Sequence, residues 1–408
     1  MLVESIVRKT LGLKSWRVAR VCHEDFGLLV KLEARRRSRG RCGVCGRRAP
    51  GYDRLRDRYW GHVPLWGIAV ILVYSPRRVK CPRCGVKVES MPWSMGKSPL
   101  TVPLIITLAT FAKILPWEEV ARLFDVHWNT VKSSVSRAVE YGLLHRDTSD
   151  VVVLGIDEIS RRKGHVYVTN VYDLINKRLL WSGDGRGREV LERFFDEWGS
   201  ERTSAIVCIC CDMWDPYVQA IKSRAPDALL VFDKFHIVSH LMKAVDAVRK
   251  EEASELAKTN PEILKSTRYI WLKHPWNLTP KQKQRLGNLE KMNLKINRAY
   301  LLKESFREFW SYRFEGWARR YLKKWFWWAT HSRLRPMRDF AWMLRRHEEG
   351  VLAYFKSRVS NGAVEGMNRK AKVVSQRAYG YRTFKTFSLA LYHVMGDLPM
   401  PEFAHKFL

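Results

Sequence analysis

Along residues 100 to 115 the sequence LTVPLIITLATFAKIL is almost continuously apolar. It is short for a membrane span, contains Lys113 and runs into a charged helical pattern, so it predicts a buried helix and no membrane crossing. The stretch that follows, PWEEVARLFDVHWNTVKSSVSRAVEYGLL, spaces its positions for two helices. The first runs through Glu118, Val120, Ala121 and Phe124; a tight turn follows near Asp125 to His127; the second carries Thr130, Val131, Val135 and Val139 inward. This is the spacing of a helix-turn-helix, whose second helix would offer Trp128, Asn129, Lys132, Ser133 and Ser136 outward to DNA, although the turn lacks the common Gly. An ordinary helical hairpin has the same pattern.

From Asp150 the period changes from helix to strand. VVVLGIDEIS, HVYVTNVYDL and KRLLWSGDG read as an antiparallel meander, the first two joined by Arg-Arg-Lys-Gly. A helix (REVLERFFDEW), a strand (SAIVCICCD), a helix with Asp215 at its N-cap and Pro216 at N1, and a strand (ALLVFD) come next. Three strands followed by alternating helix and strand is the order of a ribonuclease H-like fold. From His236 to about Arg358 the pattern is helical and rich in Trp, Arg and Lys. Trp317, Tyr321, Trp325 and Trp328 share a stripe there, either an aromatic core or a surface for stacking bases. The predicted architecture is multidomain α+β: a zinc-binding domain over 1–95, a helix-turn-helix over 100–146, and an α/β catalytic domain over 150–408 with a helical insertion at about 240–355.

Composition narrows the partner. The 408 residues carry 73 Lys+Arg against 41 Asp+Glu, a formal charge of +32, and 17 Trp argue for a folded scaffold that displays this charge. A polyanion is the expected partner. The opening MLVESIVRKTLGLKSW has neither a continuous apolar stretch nor a small-residue cleavage site, which points to the cytoplasm. There, cysteines bind metal more often than they pair. CGVC (Cys42, Cys45) and CPRC (Cys81, Cys84), each followed by Gly and separated by 35 residues, are the two knuckles of a tetrahedral Zn²⁺ site. Between them HVPLWGIAVILVYSPRRVK reads as strand, turn, strand, as in a zinc ribbon, and the preceding RRRSRGR is placed to contact phosphate or to form a solvated face. Cys208, Cys210 and Cys211 read as core, and Cys22 is uninformative.

Near the C-terminus, SNGAVEGMNRKAK opens a helix with two rows. Val364, Met367, Ala371 and Val374 are apolar; Asn361, Glu365, Asn368 and Lys372 lie about 100° away. Glu365 is the one acid there. Elsewhere Val151, Val153, Gly155, Asp157 and Ile159 share a strand face, which puts Asp157 on a largely buried surface with Gly155 leaving room beside it, and a buried carboxylate needs a cation. Asp212 and Asp233 each end a strand, where α/β layers place ligands and metals. Phosphodiester cleavage by a hydroxyl needs an in-line nucleophile, a stabilised leaving oxygen and charge neutralisation. Two Mg²⁺ (or Mn²⁺) ions about 3.5 to 4 Å apart supply all three. Asp157 would bridge both ions, Asp212 would complete one, and Glu365, beside a packing row, would complete the other. Glu158 points to the opposite strand face, and His165 and His236 read as structural.

GIDE, DMWDPY, FDKFH and SNGAVEGMNRKAK together resemble the DDE motifs of insertion-sequence transposases, specifically the ISL-three family, and the likeness extends to the CxxC pairs and the helix-turn-helix. The resemblance implies Asp157, Asp212 and Glu365 as the metal-binding triad of a ribonuclease H-like domain interrupted by a helical insertion. It leaves Asp233 and His236 as supporting neighbours; with Glu365 on the metal site, its helix neighbours Asn361, Asn368, Arg369 and Lys372 would face the scissile DNA. The implied activity is a transposase that binds the terminal inverted repeats of its element and cuts them. Joining of the ends to target DNA follows, by a homo-oligomer assembled on DNA in a prokaryotic nucleoid. A DNA-binding regulator and a structure-specific nuclease are the rival readings.

Overall fold

The computed structural model describes residues 3–162, 164, 166–359 and 362–401. His165 and Asn361 lie outside them. The chain forms two compact units, one of the residues up to Asp147 together with those from Val373 onward, the other Thr148–Lys372.

The first unit opens with helix α1 (Val3–Thr10) and seven strands: β1 (Trp16–Glu24), β2 (Gly27–Ala34), β3 (Gly51–Arg54), β4 (Arg58–Leu65), β5 (Ile68–Tyr74), β6 (Arg77–Cys81) and β7 (Gly85–Val88). They make two sheets, ordered β1-β2-β5-β4 and β3-β6-β7. The β1–β2 hairpin has no counterpart in the sequence expectation. The β4–β5 hairpin, expected in a zinc ribbon, belongs instead to the four-stranded sheet, and the cysteines belong to the three-stranded one. The larger sheet holds an aromatic knot, with Trp93 meeting Trp16, Trp60 and Tyr74 edge-on at ring separations of 5.2, 6.1 and 5.5 Å.

Three helices follow, α2 (Val102–Ala112), α3 (Trp117–Leu123) and α4 (Trp128–His145). Thr101 caps α2, and the apolar run becomes a buried helix as expected. No helix among the described residues is long and apolar enough to cross a membrane. Asp125 takes the left-handed turn position (φ 50°) that Gly commonly fills, a conformation Asp tolerates better than most residues.

The second unit is built on a five-stranded mixed sheet. Its strands are β8 (Val153–Arg162), β9 (Val166–Asp173), β10 (Arg178–Asp184), β11 (Cys208–Cys211) and β12 (Leu229–Phe232), in the order β10-β9-β8-β11-β12. The first three form the antiparallel meander, and β8, β11 and β12 run parallel. Helices α5 (Arg188–Trp198), α6 (Ser200–Ser204) and α7 (Asp215–Arg224) connect them. The N-cap of α7 is Trp214, not Asp215, which is the first helical residue with Pro216 second.

Helices α8 (Lys234–Leu256), α9 (Arg268–Leu272), α10 (Pro280–Glu290), α11 (Lys295–Glu308), α12 (Glu315–His331), α13 (Arg335–Arg346) and α14 (Glu348–Ser357) make the helical region. Then α15 (Gly362–Arg377) returns to the sheet, and α16 (Phe384–Met395) follows. Residues from 373 onward, expected within the catalytic domain, pack with the first unit: Leu398 shares a core with Val131, Val135 and Val139 of α4.

Candidate functional site: a carboxylate edge and a four-cysteine site

Strand register explains how distant acids meet. Cys210 pairs with Gly155 and Cys211 with Phe232, so two steps along β8 and one step past β11 and β12 bring Asp157, Asp212 and Asp233 level across three adjacent parallel strands. Neighbouring strands lie about 4.8 Å apart. All three acids therefore line the C-terminal edge of the sheet, where parallel strands expose their ends.

His236, in the first turn of α8, stands over this edge. Its Nδ1 is 3.3 Å from Asp212 Oδ2, and its Nε2 is 3.9 Å from Asp157 Oδ1 and 3.8 Å from Asp233 Oδ2. Burial opposes charge on the imidazole, but the bond to Asp212 and the fields of Asp157 and Asp233 overcome it and raise its pKa to about 9. Burial raises Asp157 and Asp233 above the usual carboxylate range, and attraction to His236 only partly offsets it. Burial also acts on Asp212, yet its hydrogen bond and attraction to His236, with the Met213 N–H, bring it below that range. Asp233 also caps α8 through the Phe235 N–H at 3.1 Å. Asp157 is thus largely rather than fully buried, with the His236 imidazole beside it at 3.9 Å.

Helix α15 reaches the same edge. Val364, Met367, Ala371 and Val374, the expected apolar row, are all buried. A methyl group placed on Gly155 would lie 2.6 Å from Val364 Cγ2 and 2.5 Å from Leu174 Cδ2, so the helix is seated where β8 has no side chain. From the polar row Asn368 makes the direct bond: its Nδ2 donates to Asp157 Oδ2 at 2.6 Å, and its Oδ1 accepts from the Tyr172 hydroxyl at 2.8 Å. Expected to face DNA, Asn368 has both ends of its amide committed inside the site. Glu365 lies one turn earlier on that row, partly exposed, and accepts from Arg369 Nη2 at 2.7 Å. Arg369 and Lys372 are exposed.

Sequence reasoning did not single out Tyr172 or Asn170. Asn170 is directly opposite Asp157 in the β8–β9 register and fully buried, beside the Tyr172 hydroxyl, with its amide nitrogen and oxygen outside hydrogen-bond geometry. Pairing register, which spacing within one strand does not encode, was the signal needed to find them. Three carboxylates with an unsatisfied buried amide alongside form an oxygen-rich set suited to hard divalent cations. Glu158 lies on the other face and pairs with Arg186 at 3.3 Å.

In the first unit the ligand atoms of Cys42, Cys45, Cys81 and Cys84 all lie within 4.8 Å of one another. Gly46 and Gly85, each after the second Cys of its knuckle, adopt φ 70° and 74°, and the Gly46 N–H closes its knuckle on the Cys42 carbonyl at 2.9 Å. The N–H groups of Cys45 and Val44 lower the Cys42 pKa, and those of Arg83 and Cys84 help to lower Cys81 to about 7. Cys84, hydrogen-bonded to Cys45, is pushed up to about 12, because four crowded thiols cannot all ionise unless a cation shares the charge. The set fits a structural Zn²⁺. Trp128, Asn129 and Ser133 are exposed on α4, Lys132 reaches over the Trp128 ring at 5.8 Å, and Ser136 bonds Glu140.

The four-cysteine site stands ahead of a carboxylate-edged mixed sheet and a long helical region, and comparison with known proteins identifies this combination as a DDE transposase. The family model for ISL3 transposases matches residues 154–391, and that for the zinc finger of the IS204/IS1001/IS1096/IS1165 transposases matches residues 38–84. The chain is also 30% identical to the transposase for insertion sequence element IS1001 of Bordetella parapertussis, over 86% of this chain and 87% of that one. It is 30% identical to the transposase for insertion sequence element IS1557 of Mycobacterium tuberculosis, over 92% and 91%. The chain belongs to the ISL3 family of insertion-sequence transposases.

Proposed function

We propose that this transposase binds the terminal inverted repeats of its own element and catalyses metal-dependent strand cleavage and strand transfer, with Asp157, Asp212 and Glu365 as metal ligands. The observation that carries the reading is the level placement of Asp157 and Asp212 at one sheet edge, with α15 seated beside them. The strand order β10-β9-β8-β11-β12 supports a ribonuclease H-like core, and the α3–α4 pair supports a helix-turn-helix that presents Trp128, Asn129, Lys132 and Ser133 to DNA. Cys42, Cys45, Cys81 and Cys84 would hold one Zn²⁺ that fixes the ribbon.

Divalent ions bound at the acidic edge would supply a nucleophilic oxygen and neutralise charge on the phosphate. The chain's own residues prepare that edge. Asn368 holds Asp157 in one orientation while the Tyr172 hydroxyl fixes Asn368. His236 holds Asp212 and balances its charge. Lys372, exposed on α15, would meet phosphate oxygens, and Arg369 would join it on exchanging Glu365 for phosphate. In cleavage, water adds to phosphorus, losing a proton, and the 3′-oxygen leaves as a hydroxyl; in transfer, that freed 3′-hydroxyl adds to a target phosphodiester and the target strand's 3′-oxygen leaves, taking up the proton.

The test uses the full chain with duplexes that carry the terminal repeats of its element, in Mg²⁺, mapping both strands. Asp157→Asn, Asp212→Asn and Glu365→Gln each lower cleavage at least about a thousandfold while repeat binding stays within about threefold. Because Asp233 is level with the first two acids and Glu365 is bonded to Arg369, Asp233→Asn is the deciding comparison. Full loss in Asp233→Asn with normal cleavage in Glu365→Gln would move the third ligand to Asp233.

A further inference from the structure

Away from the acidic edge, α12 presents a groove of about 650 Å³ whose lining includes Trp317, Arg320, Lys323, Lys324 and Trp327, together with Tyr312, whose ring packs on Tyr321. The helix buries Ala318, Leu322, Trp325 and Ala329, a stripe centred about 110° from Trp317. That rotation leaves Trp317 and Trp327 outside the core, at 58% and 63% exposure, although a tryptophan is costly to leave in water. Cations surround the rings: Arg320 lies 5.0 Å over Trp317, and Lys323 and Lys324 are exposed on the same face. His331 stacks on Trp327 at 4.4 Å between ring centroids, an instance of planar stacking already in place. Arg319, on the neighbouring stripe, is instead engaged by Glu315, Glu348 and Glu349.

We infer that this groove binds single-stranded DNA, with unpaired bases stacked on Trp317 and Trp327 and phosphates held by Arg320, Lys323 and Lys324. Charge selects the occupant: a surface of aromatic faces among cations, on a chain of +32, complements a strand that offers both base faces and phosphates. A duplex offers the phosphates but keeps its base faces stacked inside. Fraying or a staggered cut at a cleaved end would supply such a strand, so the site extends the proposed activity and rests on it only for the source of the strand.

The experiment measures binding of the full chain, without added Mg²⁺, to a twenty-nucleotide oligo-dT and in parallel to repeat-bearing duplex. Trp317→Ala/Trp327→Ala weakens oligo-dT binding at least about tenfold, with duplex binding within twofold. Trp317→Phe/Trp327→Phe recovers most of the loss, which a purely electrostatic groove would not require. Lys323→Gln/Lys324→Gln makes the salt dependence of oligo-dT binding shallower by about 1.4 in log–log slope. Wild-type oligo-dT affinity in the double Ala variant overturns the inference, as does an equal loss on duplex. Dissociation of a DNA-free oligomer in that variant also overturns it, because the groove would then be a contact between copies. Both Trp side chains lie outside the core, so an unchanged melting temperature is expected. Loss of end cleavage by wild-type protein would count against the transposition reading and leave this binding result standing.

Discussion

His62 shows how one buried ring writes itself into stability. It is 6% exposed, its Nδ1 lies 3.0 Å from the hydroxyl of Thr101, and that hydroxyl also accepts from the Leu104 N–H at the start of α2. With one lone pair of the oxygen already engaged, the Thr101 O–H is free to donate to Nδ1, which requires a neutral imidazole. Burial pushes the ring down to about 4. The unfolded chain, with a pKa near 6.5, therefore binds more protons than the folded one between those values. Stability is fully present above pH about 6.5 and falls as pH drops through about 4, by about 3 kcal/mol at most from this residue. His393, buried and likewise lowered to about 3, acts in the same direction. Urea unfolding between pH 4 and 7.5 should show this slope, and His62→Gln should flatten it while costing stability at pH 7.5. An unchanged slope in that variant would exclude His62 as its source.

At the scale of elements, the seat of α15 on β8 is the contact on which the acidic edge depends. Gly155→Ala places a methyl 2.5 Å from Leu174 and 2.6 Å from Val364, so the helix must shift or the strand must bend, at a cost of about 1 to 3 kcal/mol. Gly366, on the same helix, has open space around it, and Gly366→Ala should stabilise by up to about 1 kcal/mol. Thermal melts and cleavage rates read together separate the two: Gly155→Ala lowers both, Gly366→Ala lowers neither, and unchanged cleavage in Gly155→Ala would show that the seat does not matter. The packing row of α15 was legible in sequence, because an apolar row at helical spacing is a local pattern, but Gly155 was read as room beside Asp157 and not as the seat of this helix. The bond that crosses it was not. Asn368 and Glu365 occupy one row, and which of them meets Asp157 depends on how the helix is rotated on the sheet. The same uncertainty in rotation misplaced the aromatic stripe of α12, where Trp325 is core and Trp317 is surface. The β1–β2 hairpin escaped because most of β1 is at least partly exposed, which blurs its alternation. The β4–β5 hairpin was assigned to the wrong sheet because the spacing of cysteines says nothing of which partner the intervening strands choose.

For the whole molecule, charge is the property that no local pattern carries. Even with each of the 41 acids matched to a base, a formal +32 remains to face solvent or a polyanion. Such an excess destabilises the free protein by self-repulsion and is relieved when DNA phosphates replace bulk counterions. Binding to any duplex should therefore weaken steeply with salt. The slope of log K against log salt between 50 and 300 mM should be at least as steep as about −6, the signature of seven or more phosphate contacts. Sequence recognition should separate from this term. Asn129→Ala on α4 should narrow the affinity gap between terminal-repeat and unrelated duplex without changing either slope, whereas Lys132→Gln should lower both slopes by about 1. Fluorescence anisotropy titrations on the two duplexes measure both effects. A slope shallower than about −2 would mean that the basic surface does not bind DNA, and an Asn129 variant with an unaltered gap would remove α4 from sequence reading and leave it as a helical hairpin.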